Sequence, residues 1–441
     1  MARKKDVVSD FRYDTGAARV PWAAVGENIR EQEILDIVKF LVRPAEGKTT
    51  AYNRAFGQLG QAVRQLQQVG KPVGKLSLAG NVQALEDRVA KFLNVKHTVF
   101  LTNATAGFEI GYRFAGLQPG DEVIAPAITF IATIAYPLSI GAKVVLADVD
   151  PRTLNMDPAD VARKITPKTK VIIPVHLGGY PVDMDPIMRL ARKHDITVIE
   201  DAAHAFGASY KGKMIGTIGH FGSFSFHEVK NITSLGEGGI LCSNTPFGKE
   251  LRRARFLGLD LSKKIPMWLY DVPAFKGKGG YFATGNYSST EIQAICLSSQ
   301  IGRLKRIIAA RRKAADYLNR RLAKVDGVVT PPFDDNKVKT TYHLYLLQID
   351  PNKVGADVQQ LKTKLDNRGL VQIPHFAPLY KFSIMKQLGY DTAAIEQTCP
   401  VAEEAFRHRF THLPLYELTD DQLKYMADAV IDSVEELKQG R

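Results

Sequence analysis

Three groups of residues in this 441-residue chain have types suited to chemistry, and each follows an apolar, strand-like run. The run 97–102 leads into the small residues 103–107, where exposed backbone N–H groups and a helix dipole suit a phosphate. Asp201 closes the apolar run 196–200, and a charge at that point must be paired or solvated. Lys230 follows the run 222–227, where partial burial would make its amine less basic and able to form a Schiff base.

Each group also has an ordinary structural explanation. Asn103 and Asp201 are residue types that commonly cap helices. A lysine in a loop usually lies at the surface, as Lys230 then would. Together, however, a phosphate cradle, an acid for a cationic ring nitrogen and a lysine are the three groups that hold pyridoxal 5′-phosphate. The combination predicts that cofactor, whereas no single group does.

The elements that must position these residues alternate along the chain. Strand-like runs lie at 97–102, 122–126, 143–149, 170–175, 196–200, 222–227 and 239–243, and helix-like segments lie at 105–117, 129–140, 157–164 and 184–194. Strands that are apolar throughout and alternate with helices predict an α/β fold whose mainly parallel sheet is buried on both faces. The last runs leave no room for a helix, so we expect one antiparallel strand at an edge. Ligands then bind beyond the carboxyl ends of the strands.

The length exceeds that of one ordinary core, which predicts more than one domain. We expect an N-terminal arm and extension (1–75), a large cofactor-binding α/β domain (76–288) and a small C-terminal α+β domain (289–441). The last would contain a long basic helix at 289–324, a strand at 342–349, and helices near 354–368, 380–388 and 420–438. Residues 44–75 are weakly periodic, and their sequence predicts no particular element.

Composition narrows the class of protein. The chain carries 59 Lys+Arg against 46 Asp+Glu, a net charge of +13, with a dense basic stretch at 302–324. Nucleic-acid binding is one explanation, but only one aromatic residue, Tyr317, lies in this stretch, so aromatics are not interleaved with the basic residues. A solvated helix face that also attracts anionic small molecules is therefore favoured. The three cysteines are far apart and predict neither a disulfide framework nor a metal site. No apolar run could span a bilayer, and we expect a cytoplasmic enzyme without a membrane or nucleic-acid partner.

Two motifs carry a resemblance to a known family. The segments EDAAHA (200–205) and SFSFHEVKNITSLGEGG (223–239) resemble the sugar-nucleotide aminotransferases, DegT/StrS-like pyridoxal-phosphate enzymes that aminate deoxysugars and aminocyclitols. The resemblance extends from about residue 75 to the C-terminus. It implies fold type I with a smaller α+β C-terminal domain, and a homodimer with shared active sites. It also implies ping-pong transfer of an amino group from an amino acid, glutamate, to a ketosugar carried on a nucleotide; a sugar phosphate or a cyclitol stays open as the acceptor.

The resemblance further implies roles for individual residues. Lys230 matches the Schiff-base lysine, and Asp201 matches the acid beneath the ring nitrogen. Further cofactor contacts are implied for Thr105, Ala106 and Ser225 at the phosphate, Phe130 on the ring face, His204 near the ring hydroxyl, and Asn286 from the partner subunit. His375 matches a substrate-contacting loop. Phe130 and His204 could also be core residues, and Ser288 stands where the family often has arginine.

Other functions remain open at this point. A sugar dehydratase shares the scaffold, but that branch resembles the family with histidine in place of the lysine, so Lys230 argues against it. A regulator that binds the cofactor without turnover would share these motifs. Loss of the cofactor absorbance on adding an amino acid, with appearance of the pyridoxamine form, would separate an enzyme from it.

Overall fold

The computed structural model describes residues 27–71, 73–260, 272–373 and 376–440. Its helices are α1 Glu31–Leu41, α2 Thr49–Val69, α3 Gly80–Leu93, α4 Ala104–Ala115, α5 Ala135–Ser139, α6 Pro158–Lys164, α7 Met184–His194, α8 Leu251–Ala254, α9 Glu291–Ile301, α10 Leu304–Leu322, α11 Pro351–Val354, α12 Val358–Asn367, α13 Ser383–Gln387, α14 Thr392–Gln397, α15 Pro400–Glu404 and α16 Asp420–Lys438. Its strands are β1 His97–Leu101, β2 Glu122–Pro126, β3 Lys143–Ala147, β4 Thr169–Ile172, β5 Thr197–Asp201, β6 Ser209–Tyr210, β7 Lys213–Met214, β8 Phe221–Ser225, β9 Gly239–Ser243, β10 Phe275–Gly277, β11 Gly280–Phe282, β12 Val328–Val329, β13 Val338–Lys339, β14 Tyr345–Ile349 and β15 Phe410–Leu413.

The central sheet has the order β1-β9-β8-β5-β4-β2-β3, and its seven strands coincide with the seven predicted runs. All pairs are parallel except those of β9, which is antiparallel to both β1 and β8. The predicted α/β fold with a mainly parallel sheet is confirmed. The predicted position of the antiparallel strand is wrong, because β9 lies inside the sheet. The connection from β8 to β9 leaves no room for a helix, which predicts that β9 runs antiparallel to β8. It does not predict that β1 pairs with the other side of β9.

Helices pack on both faces of this sheet, and their ends follow local sequence signals. Asn103 caps α4 by accepting the Ala106 N–H at 3.0 Å, and Gly116 ends that helix with φ +76°. The predicted single helix at 289–324 is instead two helices, α9 and α10, interrupted at Gly302. A capping box of Thr290 and Gln293 starts α9.

The segment for which the sequence predicted no element is largely helical. In α2, Tyr52, Phe56, Leu59 and Val63 are the more buried side chains, at helical spacing, and α1 packs against α2. An ion pair between Arg64 and Glu31 links the two helices. The Gln-rich outer face of α2 masks this pattern in the sequence, because only one narrow stripe is apolar.

Three hydrophobic cores organise the described residues. Two of them lie around the central sheet, and α10 contributes Leu304 and Ile308 to one of these. The third, from Ala314 to Leu437, lies among α10, α12, α16 and the small sheet β12-β14-β15. Hydrophobic contacts thus change from one core to another within α10, and the domain boundaries expected from the sequence stay a prediction. None of the described helices is both long and apolar enough to cross a lipid bilayer.

Candidate active site

Asp201 is the last residue of β5 and is 5% exposed. Its carboxylate accepts the Thr133 O–H at 2.7 Å and the Ala203 N–H at 3.1 Å. Burial raises the pKa of Asp201, while these two hydrogen bonds and the charge of Lys230 act in the opposite direction. The structure therefore holds a buried carboxylate whose partners favour its charged form.

The neighbouring acid, Glu200, has a different environment because alternate strand residues face opposite sides of a sheet. It is fully buried and accepts the N–H groups of Gly216, Ile218 and Gly219 at 2.8, 2.7 and 2.6 Å. His176 contacts the same carboxylate at 3.1 Å. Glu200 is thus occupied in holding the loop before β8, which leaves Asp201 as the acid available to a ligand.

Lys230 lies in the loop that joins β8 to β9. The loop is closed by backbone bonds from Phe226 N–H to the Gly238 carbonyl (2.7 Å) and from Ser234 N–H to the Phe226 carbonyl (3.0 Å). Burial lowers the pKa of Lys230 to about 8, and the charge of Asp201 opposes this shift. Each of the two groups acts on the pKa of the other, so the structure brings the predicted lysine and the predicted acid together.

Thr105 and Ala106 lie in the first turn of α4, beside the ends of three strands. Gly239 pairs with both Leu101 of β1 and Ser225 of β8. A Cβ on Gly239 would lie 2.2 Å from the Asn103 carbonyl carbon, so the backbones touch there. Ser225 and the start of α4 consequently lie at one edge of the sheet. The Ala106 N–H already serves the helix cap, whereas the Thr105 N–H has no partner among the described residues.

Phe130 begins the 3-10 turn Ile131–Ile134, which follows β2. Its carbonyl accepts the Thr133 N–H at 3.2 Å, and Thr133 in turn holds Asp201. The Phe130 side chain is 58% exposed, so it is not a core aromatic. This turn thus supplies both the hydrogen bond from Thr133 to Asp201 and the exposed aromatic ring of Phe130.

His204 follows Asp201 by three residues and is partly exposed. Its Nδ1 accepts the Gly178 N–H at 3.3 Å, and its carbonyl accepts the Thr341 O–H at 2.6 Å. Its ring lies 4.4 Å, centroid to centroid, from that of His343. The edge of the sheet around Asp201 is therefore covered by residues 341–343.

Two predicted residues are not brought into this group. Asn286 is exposed, and its Oδ1 accepts the Ser288 N–H at 3.0 Å. No contact joins Asn286 to Asp201 or Lys230 among the described residues of this single chain. His375 lies outside the described residues, as does part of the 258–282 segment.

Sequence reasoning missed three residues of this region: Thr133, Asn231 and His343. Thr133 had a usable signal, a hydroxyl within an apolar segment three residues after Phe130. Asn231 and His343 had none, because the hydrogen bond between them joins positions 112 residues apart.

These side chains fit pyridoxal phosphate: a buried acid, a partly buried amine of lowered pKa, an exposed aromatic face and a helix N-terminus share one edge of the sheet. The profile of the DegT/DnrJ/EryC1/StrS aminotransferase family matches residues 61–431. The chain belongs to this family. It is accordingly a pyridoxal-phosphate aminotransferase with the fold that the sequence predicted.

Two relatives align with this chain over most of their own length. The spore coat polysaccharide biosynthesis protein SpsC of Bacillus subtilis is 34% identical over 82% of this chain and 91% of its own. The GDP-perosamine synthase of Caulobacter vibrioides is 35% identical over 72% and 81%. The solved structure of Spr1654 from Streptococcus pneumoniae in its PLP form superposes with a TM-score of 0.71, at 28% identity, over 83% of this chain and 94% of that one.

Proposed function

We propose that this aminotransferase moves an amino group from glutamate to a ketosugar carried on a nucleotide, by a ping-pong reaction in amino-sugar biosynthesis. The proposal depends on Lys230 and Asp201, each of which acts on the pKa of the other. Transamination needs an amine that can carry a proton and a fixed carboxylate that can hold the charge of the cofactor ring. A relative 35% identical to this chain is named for making GDP-perosamine, which supports a sugar as the acceptor.

Lys230 is the proton carrier in this proposal. Bound pyridoxal phosphate supplies a protonated ring that withdraws electrons from the carbon next to the reacting nitrogen. The Nζ atom of Lys230 takes the α-proton from the amino-acid donor. In the same half-reaction, Lys230 returns a proton to the cofactor carbon. A pKa of about 8 suits both tasks near neutral pH, since a general base works best when its pKa is close to the working pH.

Asp201 holds the positive charge of the ring nitrogen. Its carboxylate is kept in place by Thr133 and Ala203, so it does not have to reorganise when that charge appears. The phosphate is proposed to contact Thr105, Ala106 and Ser225, together with Asn286 of a second copy in a homodimer. Phe130 is proposed to contact the ring face and His204 the ring hydroxyl. His375 is proposed to contact the substrate.

A cytoplasmic location belongs to the same proposal. Cys242, Cys296 and Cys399 are all unpaired thiols, and two of them are buried. Thiols of this kind persist in a reducing compartment.

The test is a pair of half-reactions with protein loaded with pyridoxal phosphate. Glutamate alone should convert the cofactor to pyridoxamine phosphate and release one equivalent of 2-oxoglutarate, read by absorbance and by mass spectrometry. Adding a panel of nucleotide-linked ketosugars should then restore the original absorbance with one of them and yield an aminated sugar. Restoration by a free ketosugar phosphate alone would show that no nucleotide is required.

Lys230→Ala should abolish both half-reactions, and Lys213→Ala, an exposed lysine of β7, is the matched control. A Lys230→Ala protein that transfers amines at the normal rate would refute the assignment. Binding of the cofactor without any conversion by amino acids would instead favour a regulator without turnover.

A further inference from the structure

Residues 340–344 form a strip that reaches from the C-terminal part of the chain to the edge of the central sheet. The Leu344 N–H donates to the Gly178 carbonyl at 3.1 Å, and the Thr340 O–H donates to the Gly179 carbonyl at 2.8 Å. A Cβ on Gly179 would lie 2.0 Å from the Thr341 hydroxyl, so only glycine permits this approach. The strip is thus pressed against the loop that follows β4.

Its backbone is strained at one residue. Tyr342 is buried, yet it has φ +43°, a conformation that bulky side chains rarely adopt. Strain of this kind persists only where the surroundings impose it, and it concentrates at functional sites. Here it directs the next residue, His343, toward the loop that carries Lys230.

His343 is joined directly to that loop. Its Nδ1 lies 3.0 Å from Oδ1 of Asn231, the residue after Lys230. The Asn231 amide N–H donates to the Thr341 carbonyl at 3.2 Å, which leaves Oδ1 as the acceptor. Nδ1 of His343 therefore carries the proton, and Nε2 carries a lone pair.

The surroundings keep this imidazole neutral. Burial holds the pKa of His343 well below its usual range, and the groups that face it act in the same direction. These groups are His204 after β5, Lys230 in the β8–β9 loop, Arg311 on α10 and His412 on β15. A neutral ring adds no charge beside Lys230, and it contacts the His204 ring at 4.4 Å between centroids with a tilt of 38°.

We propose that His343 is a positioning residue of the amine-transfer site, which holds the Lys230 loop through Asn231 and supports the ring of His204. This inference rests on the proposed function, because it assigns a task to residues around the same lysine. His343 acts through Lys230 and His204, and the strip 340–344 thereby ties the C-terminal part of the chain to the reacting amine.

The test measures how fast the cofactor-free protein captures pyridoxal phosphate at Lys230, from pH 6.5 to 10, by borohydride trapping and intact mass. His343→Leu removes the donor to Asn231, and His343→Asn retains an N–H close to the position of Nδ1. We expect His343→Leu to slow capture at pH 7.5 by about tenfold, the loss expected for one hydrogen bond, and to shift the pH midpoint. His343→Asn should stay within about threefold of the unmodified protein.

Asn231→Ala removes the same hydrogen bond and also the one to the Thr341 carbonyl, so it should slow capture at least as much as His343→Leu. The loss in the double variant should be smaller than the sum of the two single losses, because the single variants share one contact. The control is His220→Leu, a partly buried histidine just before β8 whose Nδ1 accepts the Val198 N–H at 2.9 Å. It should lower the melting temperature and leave the pH midpoint unchanged.

Capture by His343→Leu with the normal rate and midpoint would overturn the proposal, and so would equal losses in the Leu and Asn variants. Additive effects of the His343 and Asn231 changes would overturn it as well. Failure of the unmodified protein to capture the cofactor would instead count against the proposed function, so the two failures are distinguishable.

Discussion

The amine of Lys230 is set apart by its surroundings. It is partly buried near Asp201, and desolvation outweighs the attraction of that carboxylate in determining its pKa. A fully solvated lysine is almost entirely protonated near neutral pH, whereas this one carries a useful neutral fraction. In the proposed reaction, this one side chain serves as both nucleophile and proton carrier because its amine is partly shielded from water.

The first prediction concerns pH. Because the pKa of Lys230 is lowered to about 8, its reactive neutral form accumulates as the pH rises through that value. The rate at which cofactor-free protein captures pyridoxal phosphate should therefore increase up to about pH 8 and level off above it. Stopped-flow absorbance measures this rate. A rate that keeps rising steeply to pH 10 would indicate an ordinary, solvated lysine.

The second prediction concerns Thr133. Thr133→Val keeps the shape of the side chain and removes the O–H that Asp201 accepts at 2.7 Å. The buried carboxylate then loses a partner of its charged form, so its pKa should rise further and amine transfer should fall by about tenfold. Steady-state kinetics against pH measures both effects.

Thr98→Val is the matched control for Thr133→Val. It removes a comparable buried hydrogen bond, from the Thr98 O–H to the Glu86 carbonyl at 2.8 Å, at the opposite end of β1 from the site. Thr98→Val should lower the free energy of unfolding and leave the rate of amine transfer unchanged. Equal losses of activity in the two variants would contradict a specific role for Thr133.

At the scale of elements, the site depends on how closely α4 approaches the sheet. A Cβ on Gly107 would lie 2.2 Å from the Ser223 hydroxyl, which itself donates to the Ala104 carbonyl at 2.9 Å. Gly239 makes a second close approach, to Asn103. These two glycines bring the positive end of the helix dipole beside the carboxyl ends of the strands, where a phosphate can use it.

The third prediction tests this approach. Gly239→Ala should displace the start of α4, cost about 2 kcal/mol of unfolding free energy and weaken pyridoxal-phosphate affinity by at least about tenfold. The matched control is Gly57→Ala in α2, where an added Cβ meets nothing within 4 Å. That change should stabilise the helix by up to about 1 kcal/mol. Chemical denaturation and cofactor titration measure the two quantities, and unchanged affinity in Gly239→Ala would contradict the proposed phosphate site.

At the scale of the whole molecule, the net charge of +13 is partly balanced where it is densest. On α10, Arg312 pairs with Asp334 at 3.1 Å and Arg321 with Asp428 at 2.6 Å. The remaining positive field suits the attraction of phosphorylated substrates, since long-range steering requires no specific contact.

The fourth prediction follows from this distribution of charge. Binding to a random DNA duplex should be detectable at low ionic strength and lost at roughly 150 mM salt, because nonspecific contacts act only through phosphate charge. Fluorescence anisotropy across a salt series measures it. Tight binding of the duplex at roughly 150 mM salt would contradict this prediction and favour a nucleic-acid-binding function.

Local patterns in the sequence were enough to predict much of the molecule. Three features depend on residues near one another in the chain or on the order of strands: the seven strands of the central sheet, the cap of α4 at Asn103, and the proximity of Asp201 and Lys230. Apolar strands alternating with helices have few ways to bury both faces of a sheet, and the carboxyl ends of parallel strands then lie at one edge.

Tertiary structure decided the rest. The interior position of β9, the helix α2 with its narrow apolar stripe, and the contact of His343 with Asn231 all depend on which distant surfaces meet. Such contacts leave no periodic or spacing signal, because the free energy that selects them comes from packing and hydrogen bonding across long separations in the chain. The two residues of the proposed reacting pair are therefore readable from the sequence, whereas the residues that hold them in place are not.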